Sequence, residues 1–308
     1  MGLNGYVVIG SAIVGLLVGL TGAGGGALMT PMLILLFNVK PAAAISSDLV
    51  AAVVMRPVGA AVHLRRGTVN LRLVGLMTLG SVPMAFLGAY LLRLLGRTSS
   101  SQKNVEVVLG AALLAGAAAM VVRFILDRKS GPRTGKAAEV EIRPVPTVLI
   151  GMVGGLMVGL TSVGSGSLMI VLLLFAYPLL SANQLVGTDL TQAVPLTVAA
   201  ALGALAFGHV EFGVTASIII GSVPAVLIGS LFSSRAPDRY IRPVITFVIL
   251  ASGLKYIGVA TYPLAWTMGT ILVAGAGCWL VWTRPWRREA RAAEPVPALE
   301  PRDEARVT

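Results

Sequence analysis

The sequence predicts an all-α, polytopic helical membrane protein of two inverted-topology repeats with glycine-broken helical hairpins. Composition, an internal duplication and the placement of basic residues predict it. Of the 308 residues, 56% are hydrophobic and 12% charged, against about a quarter charged in a soluble domain, and the mean hydropathy is +0.86. In a soluble chain the net charge of +11 would suggest nucleic acid. Here the basic residues lie in short loops, where they report orientation instead.

The duplication centres on glycine. Gly19-Leu20-Thr21-Gly22-Ala23-Gly24-Gly25-Gly26 recurs as Gly159-Leu160-Thr161-Ser162-Val163-Gly164-Ser165-Gly166, with Leu-Met shortly after each. Ser47-Asp48-Leu49 matches Thr188-Asp189-Leu190, Gly67-Thr68-Val69 matches Gly208-His209-Val210, and Gly80-Ser81-Val82-Pro83 matches Gly221-Ser222-Val223-Pro224. Glycine-interrupted apolar segments at corresponding places in two halves point to a transporter binding site.

Apolar runs cover 5–37, 45–64, 73–95, 105–126, 145–180, 186–207, 213–233, 241–260 and 264–282. Most reach the ~20 residues of a membrane crossing. The first run lacks a signal peptide's basic flank and cleavage site, so it is expected in the mature protein. A straight helix over 5–37 would be about 50 Å long against a core near 30 Å. That run and 145–180 are therefore expected to fold back at Thr21–Gly26 and Thr161–Gly166, a kink being the competing arrangement.

Loop charge separates the two. With both runs folded back, Arg65, Arg66, Arg72, Arg128, Lys129, Arg133, Lys136, Arg143, Arg235, Arg239 and Arg242 are cytoplasmic, and Lys40, Arg93, Arg97 and Lys103 are outside. Single crossings would divide the same residues almost evenly. The positive-inside rule favours hairpins, which leave an odd number of passes per repeat and so invert one against the other. The expected organisation is a membrane repeat over 1–126, a cytoplasmic linker over 127–144, a second repeat over 145–260, an extra transmembrane helix over 261–283 and a disordered cytoplasmic tail over 284–308.

Each glycine turn precedes an apolar helix whose N-terminus presents unpaired N–H groups and a positive dipole end. Glycine lets those donors approach an anion closely. The substrate-binding candidates are Thr21, Gly22, Gly24, Gly25, Gly26, Thr161, Ser162, Gly164, Ser165, Gly166 and Ser167. Close helix packing is the alternative use of glycine here, since Gly15/Gly19 and Gly155/Gly159 have small-xxx-small spacing. No Lys-Ser/Thr follows the glycines, which excludes a nucleotide P-loop.

A carboxylate in a membrane segment is usually functional, which singles out Asp48 and Asp189. Both lie near the start of a segment beside Ser47 and Thr188, so N-capping competes with ion or proton coupling. Gln192, one turn beyond Asp189, joins this group. Arg56 lies mid-segment with Thr197 as its counterpart; its planar fork suits an oxyanion, and a structural pair with Asp48 or Asp189 is the alternative. His63 is expected at the interface and Lys255 to snorkel. An enzyme would need a nucleophile and base, yet His63 and His209 both sit near segment ends and no Gly-x-Ser-x-Gly elbow occurs. The lone Cys278 excludes an internal disulfide. No cofactor is implied; the expected partners are a small anion, the bilayer and a possible coupling proton.

These residues together resemble the TauE/SafE family of sulfite and sulfonate exporters. The turn at 19–26, Asp-Leu at 48–49 and 189–190, His63 with Gly67-Thr68-Val69, and both Gly-Ser-Val-Pro motifs carry the resemblance, which covers about 5–260. It departs at Ser165 and Ser167, where the family is often all glycine, and at Ser46, where a glycine is common. The resemblance implies outward movement of a sulfur oxyanion, an organosulfonate or a small carboxylate across a bacterial inner membrane.

Overall fold

The computed structural model describes residues 3–21, 25–96, 99–129, 141–232, 238–260, 262–264 and 266–270. Met1–Ala260 forms one compact unit and Thr261–Thr308 a second. Among its described residues are ten helices: α1 Gly5–Thr21, α2 Gly26–Leu35, α3 Pro41–Arg65, α4 Leu71–Leu95, α5 Ser99–Lys129, α6 Pro144–Thr161, α7 Leu168–Ala176, α8 Ala182–Phe207, α9 Phe212–Phe232 and α10 Asp238–Tyr256. Among the described residues there is no strand. Six helices among the described residues (in α3, α4, α5, α6, α8 and α9) are long and apolar enough to cross a membrane.

Local sequence sets the ends. Pro41 opens α3 and Pro144 opens α6, positions where a missing N–H costs nothing. The Asn70 side chain accepts from Leu73 N at 3.2 Å to start α4. Ser181 and Gln184 form a capping box at the head of α8, which satisfies otherwise unpaired donors.

α1–α5 and α6–α10 repeat one another in order: a medium helix, a very short one, two long ones and a closing one. Their main packing contacts are kept when the halves are exchanged. The most extensive helix pairs are α4 with α6 and α1 with α9, each joining the first helix of one half to the fourth of the other. The two third helices, α3 and α8, meet at the centre, and α5 meets α10. The two halves therefore interlock within one unit.

Glycines make the two seams. A Cβ at Gly15 would lie 2.8 Å from the Ser222 backbone, and one at Gly155 would meet Ser81 in the same way. One helical turn on, Gly19 presses against Val226 and Gly159 against Ala85. The repeated Gly-Ser-Val-Pro motif is thus the other side of each seam. Without a hydrophobic drive between helices in lipid, such backbone proximity is a main source of association energy. The close-packing use of Gly15, Gly19, Gly155 and Gly159 is real, and it coexists with the breaks.

Both long runs fold back. The Tyr177 hydroxyl donates to the carbonyl of Arg143 at 3.0 Å and accepts from its N–H at 3.0 Å, and it shares a hydrogen bond with Thr147 Oγ1. The end of α7 is thereby tied to the start of α6. In the other half, a Cβ at Gly10 would be 2.8 Å from Met32 Sδ. A kink would leave these groups far apart. α2 and α7, with 10 and 9 residues, are about 15 Å long, half of a ~30 Å hydrocarbon core.

Arg133 and Lys136 of the expected linker, and most of the expected helix 261–283 and tail 284–308, lie outside the described residues. In the second unit, Thr267 Oγ1 donates to Leu264 O at 2.9 Å within a helical turn.

Gly159→Val should force α4 and α6 apart, because the new side chain would enter the Ala85 backbone. Overpacking of this kind costs about 1–3 kcal/mol, read as a lower unfolding midpoint in detergent. Gly75→Ala, with nothing within 4 Å of the new methyl, should leave the midpoint unchanged or raise it.

Candidate functional site

The two helix breaks meet. A Cβ at Gly26, the first residue of α2, would fall onto the carbonyl of Ser162, which follows α6. Ser162 has φ 60°, the left-handed conformation that ends helices and is disfavoured for residues with a side chain. Gly164 and Gly166 continue at φ 130° and 86°, turning the chain into α7. Strained backbone of this kind concentrates at functional sites.

Around this crossing lie the buried charges. Asp48 on α3 and Asp189 on α8 are each 1% exposed, and Arg56 on α3 is 8% exposed. Asp48 Oδ2 accepts from Ser162 Oγ at 2.7 Å and from Thr30 Oγ1 at 3.0 Å. Asp189 Oδ2 accepts from the backbone N–H of Gly166 at 2.7 Å. The Arg56 guanidinium donates to Ser165 Oγ, and both carboxylates act on it through space. One residue of the first half thus reaches into the break of the second, and so does its Asp48. Gln192, fully buried on α8, donates to Ser81 Oγ on α4.

Several expectations from sequence change here. Gly25 has room for a side chain, with Met55 Cε 3.5 Å from its would-be Cβ, so the close approach is at Gly26. The Gly166 N–H, expected to face a substrate anion, holds the chain's own Asp189 carboxylate. Thr21 and Thr161 turn their hydroxyls back onto Leu17 O and Met157 O, each at 2.7 Å, a bond that competes with any outward donation. Gly22 and Gly24 lie outside the described residues. Ser165 and Ser167 are buried at the break, the first on Arg56.

The capping alternative for the acids is also corrected. α3 is capped at Lys40 and α8 at Ser181, two turns before Asp48 and Asp189, so neither acid caps its own helix. Their neighbours do the capping, across the halves. Ser47 Oγ accepts from Glu211 N at 3.0 Å, just before α9, and Thr188 Oγ1 accepts from Asn70 N at 3.1 Å, just before α4. His63 sits away from the crossing at the end of α3, with Nδ1 3.1 Å from Thr68 Oγ1.

Thr30, Ser81 and Arg123 escaped the sequence reading as site residues. Ser81 sits inside the repeated Gly-Ser-Val-Pro motif, which was a usable signal. Thr30 is a lone hydroxyl in an apolar helix, a weaker one. Arg123 lies on α5, is 9% exposed and acts on Asp189 through space.

Gly26→Ala should lower the unfolding midpoint in detergent, because its methyl would enter the Ser162 carbonyl and hydroxyl; about 1–3 kcal/mol is expected. Gly25→Ala should be tolerated. Equal midpoints for the two variants would contradict the crossing of the breaks.

Comparison with known proteins fits this arrangement. The family described as Sulfite exporter TauE/SafE matches residues 7–256, the span of all but the ends of the first unit. "Probable membrane transporter protein YjnA" of Bacillus subtilis (strain 168) is 39% identical over 252 residues, covering 82% of this chain and 98% of that protein. "Probable membrane transporter protein YdhB" of the same organism is 24% identical over 255 residues, covering 80% and 98%. No solved structure matches. The chain belongs to the TauE/SafE family and is, by that membership, a membrane transporter and not an enzyme.

Proposed function

We propose that the chain exports a small sulfur oxyanion or organosulfonate, such as sulfite or sulfoacetate, across a bacterial inner membrane, and that it binds this anion at the crossing of the two helix breaks. The observation that carries the reading is Arg56, buried where both breaks converge and bonded to Ser165 of the opposite half. A guanidinium has further N–H donors in a fixed plane, which suit an anion with several oxygens. Around it, the hydroxyls of Ser165 and Ser167 and the backbone of Gly164 offer neutral donors, and buried donors discriminate strongly against ligands that leave them unpaired.

The substrate class draws support from the family's description, and a small carboxylate would use the same donors. For the membrane arrangement, we propose that the halves are inverted with the 127–143 linker cytoplasmic, as the loop arginines and lysines favour. Exchange of equivalent halves around a fixed central site is then a route to alternating access.

Proteoliposomes loaded with sulfite, sulfonates or carboxylates test the substrate. Arg56→Gln should abolish flux, and Arg56→Lys should retain a part of it, since lysine keeps the charge but loses the planar fork. If Arg56→Gln combined with Asp48→Asn or Asp189→Asn recovers flux, the arginine only neutralises an acid. Single cysteines at 127–143 in a Cys278→Ala background should react from the cytoplasmic side alone.

A further inference from the structure

The crossing has a charge problem that the anion site must solve. Arg56 faces two carboxylates, and an arriving anion adds a third negative charge to a poorly solvated centre. Like charges at such a place repel strongly, so one of them has to be neutralised when the anion binds.

Two oxygens identify which. Asp189 Oδ1 and Gln192 Oε1 are buried and have no hydrogen-bond partner. They belong to residues three apart on α8, which share a helix face. The Gln192 amide nitrogen is committed to Ser81 Oγ, which leaves its oxygen to receive a donor. Two acceptors lacking a donor are costly at this depth. A proton on Asp189 Oδ1 turns one of them into a donor and gives Gln192 Oε1 its partner.

Asp48 offers no equivalent. Its Oδ2 already holds two hydroxyl donors, Ser162 and Thr30. The residue three further along α3 is Ala51, which brings no acceptor.

We infer that Asp189 is a tethered competitor of the transported anion: it occupies the Gly166 N–H in the empty state and leaves it, taking a proton on Oδ1 that is received by Gln192, when the anion arrives. What holds Asp189 as a carboxylate is the Gly166 N–H and the charge of Arg56. The anion needs the same two groups. Anion binding and proton binding at Asp189 are then linked and reciprocal, with one negative charge arriving as another is neutralised. The proton comes from solution and returns to it when the anion leaves and the carboxylate retakes Gly166.

The groups facing Asp189 are few. Arg56 and, beyond it, Asp48 come from α3, and Arg123 bears on it from α5. α4 contributes the neutral Ser81 through Gln192, and α6 and α7 carry no charged residue. His63 lies against Gly187, two residues back and on another face of α8.

This inference rests on the anion-transport reading above, and one design separates the two. In proteoliposomes with an internal pH dye, a gradient of methanesulfonate, whose charge does not change near neutral pH, should drive proton movement with wild-type protein. Asp189→Asn mimics the protonated acid, with an N–H donor for Gln192 Oε1 and no negative charge to compete with the anion for Gly166. It should bring the number of protons moved per methanesulfonate to zero. Infrared spectra of the purified wild type, titrated with acid alone, should show a protonated carboxyl band that is absent in Asp189→Asn, present in Asp48→Asn and displaced to more acid conditions in Gln192→Leu. Proton movement that persists in Asp189→Asn overturns the inference, as does a band lost only in Asp48→Asn or flux that needs Na+ instead of a pH gradient. If no sulfur anion moves or binds at all while the Asp189 band titrates as expected, the transport reading fails and the proton site stands.

Discussion

The structure depends on one constraint: backbone broken inside an apolar environment must find polar partners within the protein. Irregular backbone at membrane depth survives only where it is buried in protein or lines a cavity. Here each break is met by the other. Gly26 lies on the Ser162 carbonyl, the Ser162 hydroxyl reaches Asp48, and the Gly166 N–H reaches Asp189. The charges are needed by the breaks, and the breaks are needed by the charges, because an isolated ion buried at such depth costs roughly several kcal/mol.

The glycine seams make that mutual satisfaction possible. α1 against α9 and α4 against α6 approach until backbone touches backbone at Gly15, Gly19, Gly155 and Gly159. Closeness at the periphery brings α3 and α8 together at the centre, where Asp48, Arg56 and Asp189 reside. Ser47 and Thr188 then lock the arrangement by capping α9 and α4 of the opposite half. This reciprocal capping couples the halves, so a shift of α3 pulls on the start of α9, and α8 on α4.

Much of this was legible in sequence. The helical class, the duplication and the fold-backs followed from apolar run lengths, repeated motifs and loop charge. The acids, Arg56 and the serines of the second break stood out one by one, because polar residues are rare in apolar runs. What sequence could not supply was direction. Nothing in the string tells that Thr21 and Thr161 point back along their own helices, or that Ser47 serves a helix in the other half. Gly25 and Gly26 read alike, and only the approach of Ser162 separates them. The Gly166 amide looked like a place for a ligand, and the resident Asp189 is a partner that no spacing reveals.

Departure from exact duplication is where the chemistry concentrates. Thr197, the counterpart of Arg56, bonds back to Ala193 O at 2.7 Å and so only closes its own helix. Ala51, the counterpart of Gln192, has no polar atom to offer. The first half therefore supplies the cation, and the second supplies the break with three serines, the carboxylate seated on an amide and the amide oxygen beside it. A symmetric pair of sites would have had to share charge between two equivalent places. The unequal halves define one central place instead. Because both acids bear on the same guanidinium, its attraction for an incoming anion is partly offset before any ligand arrives.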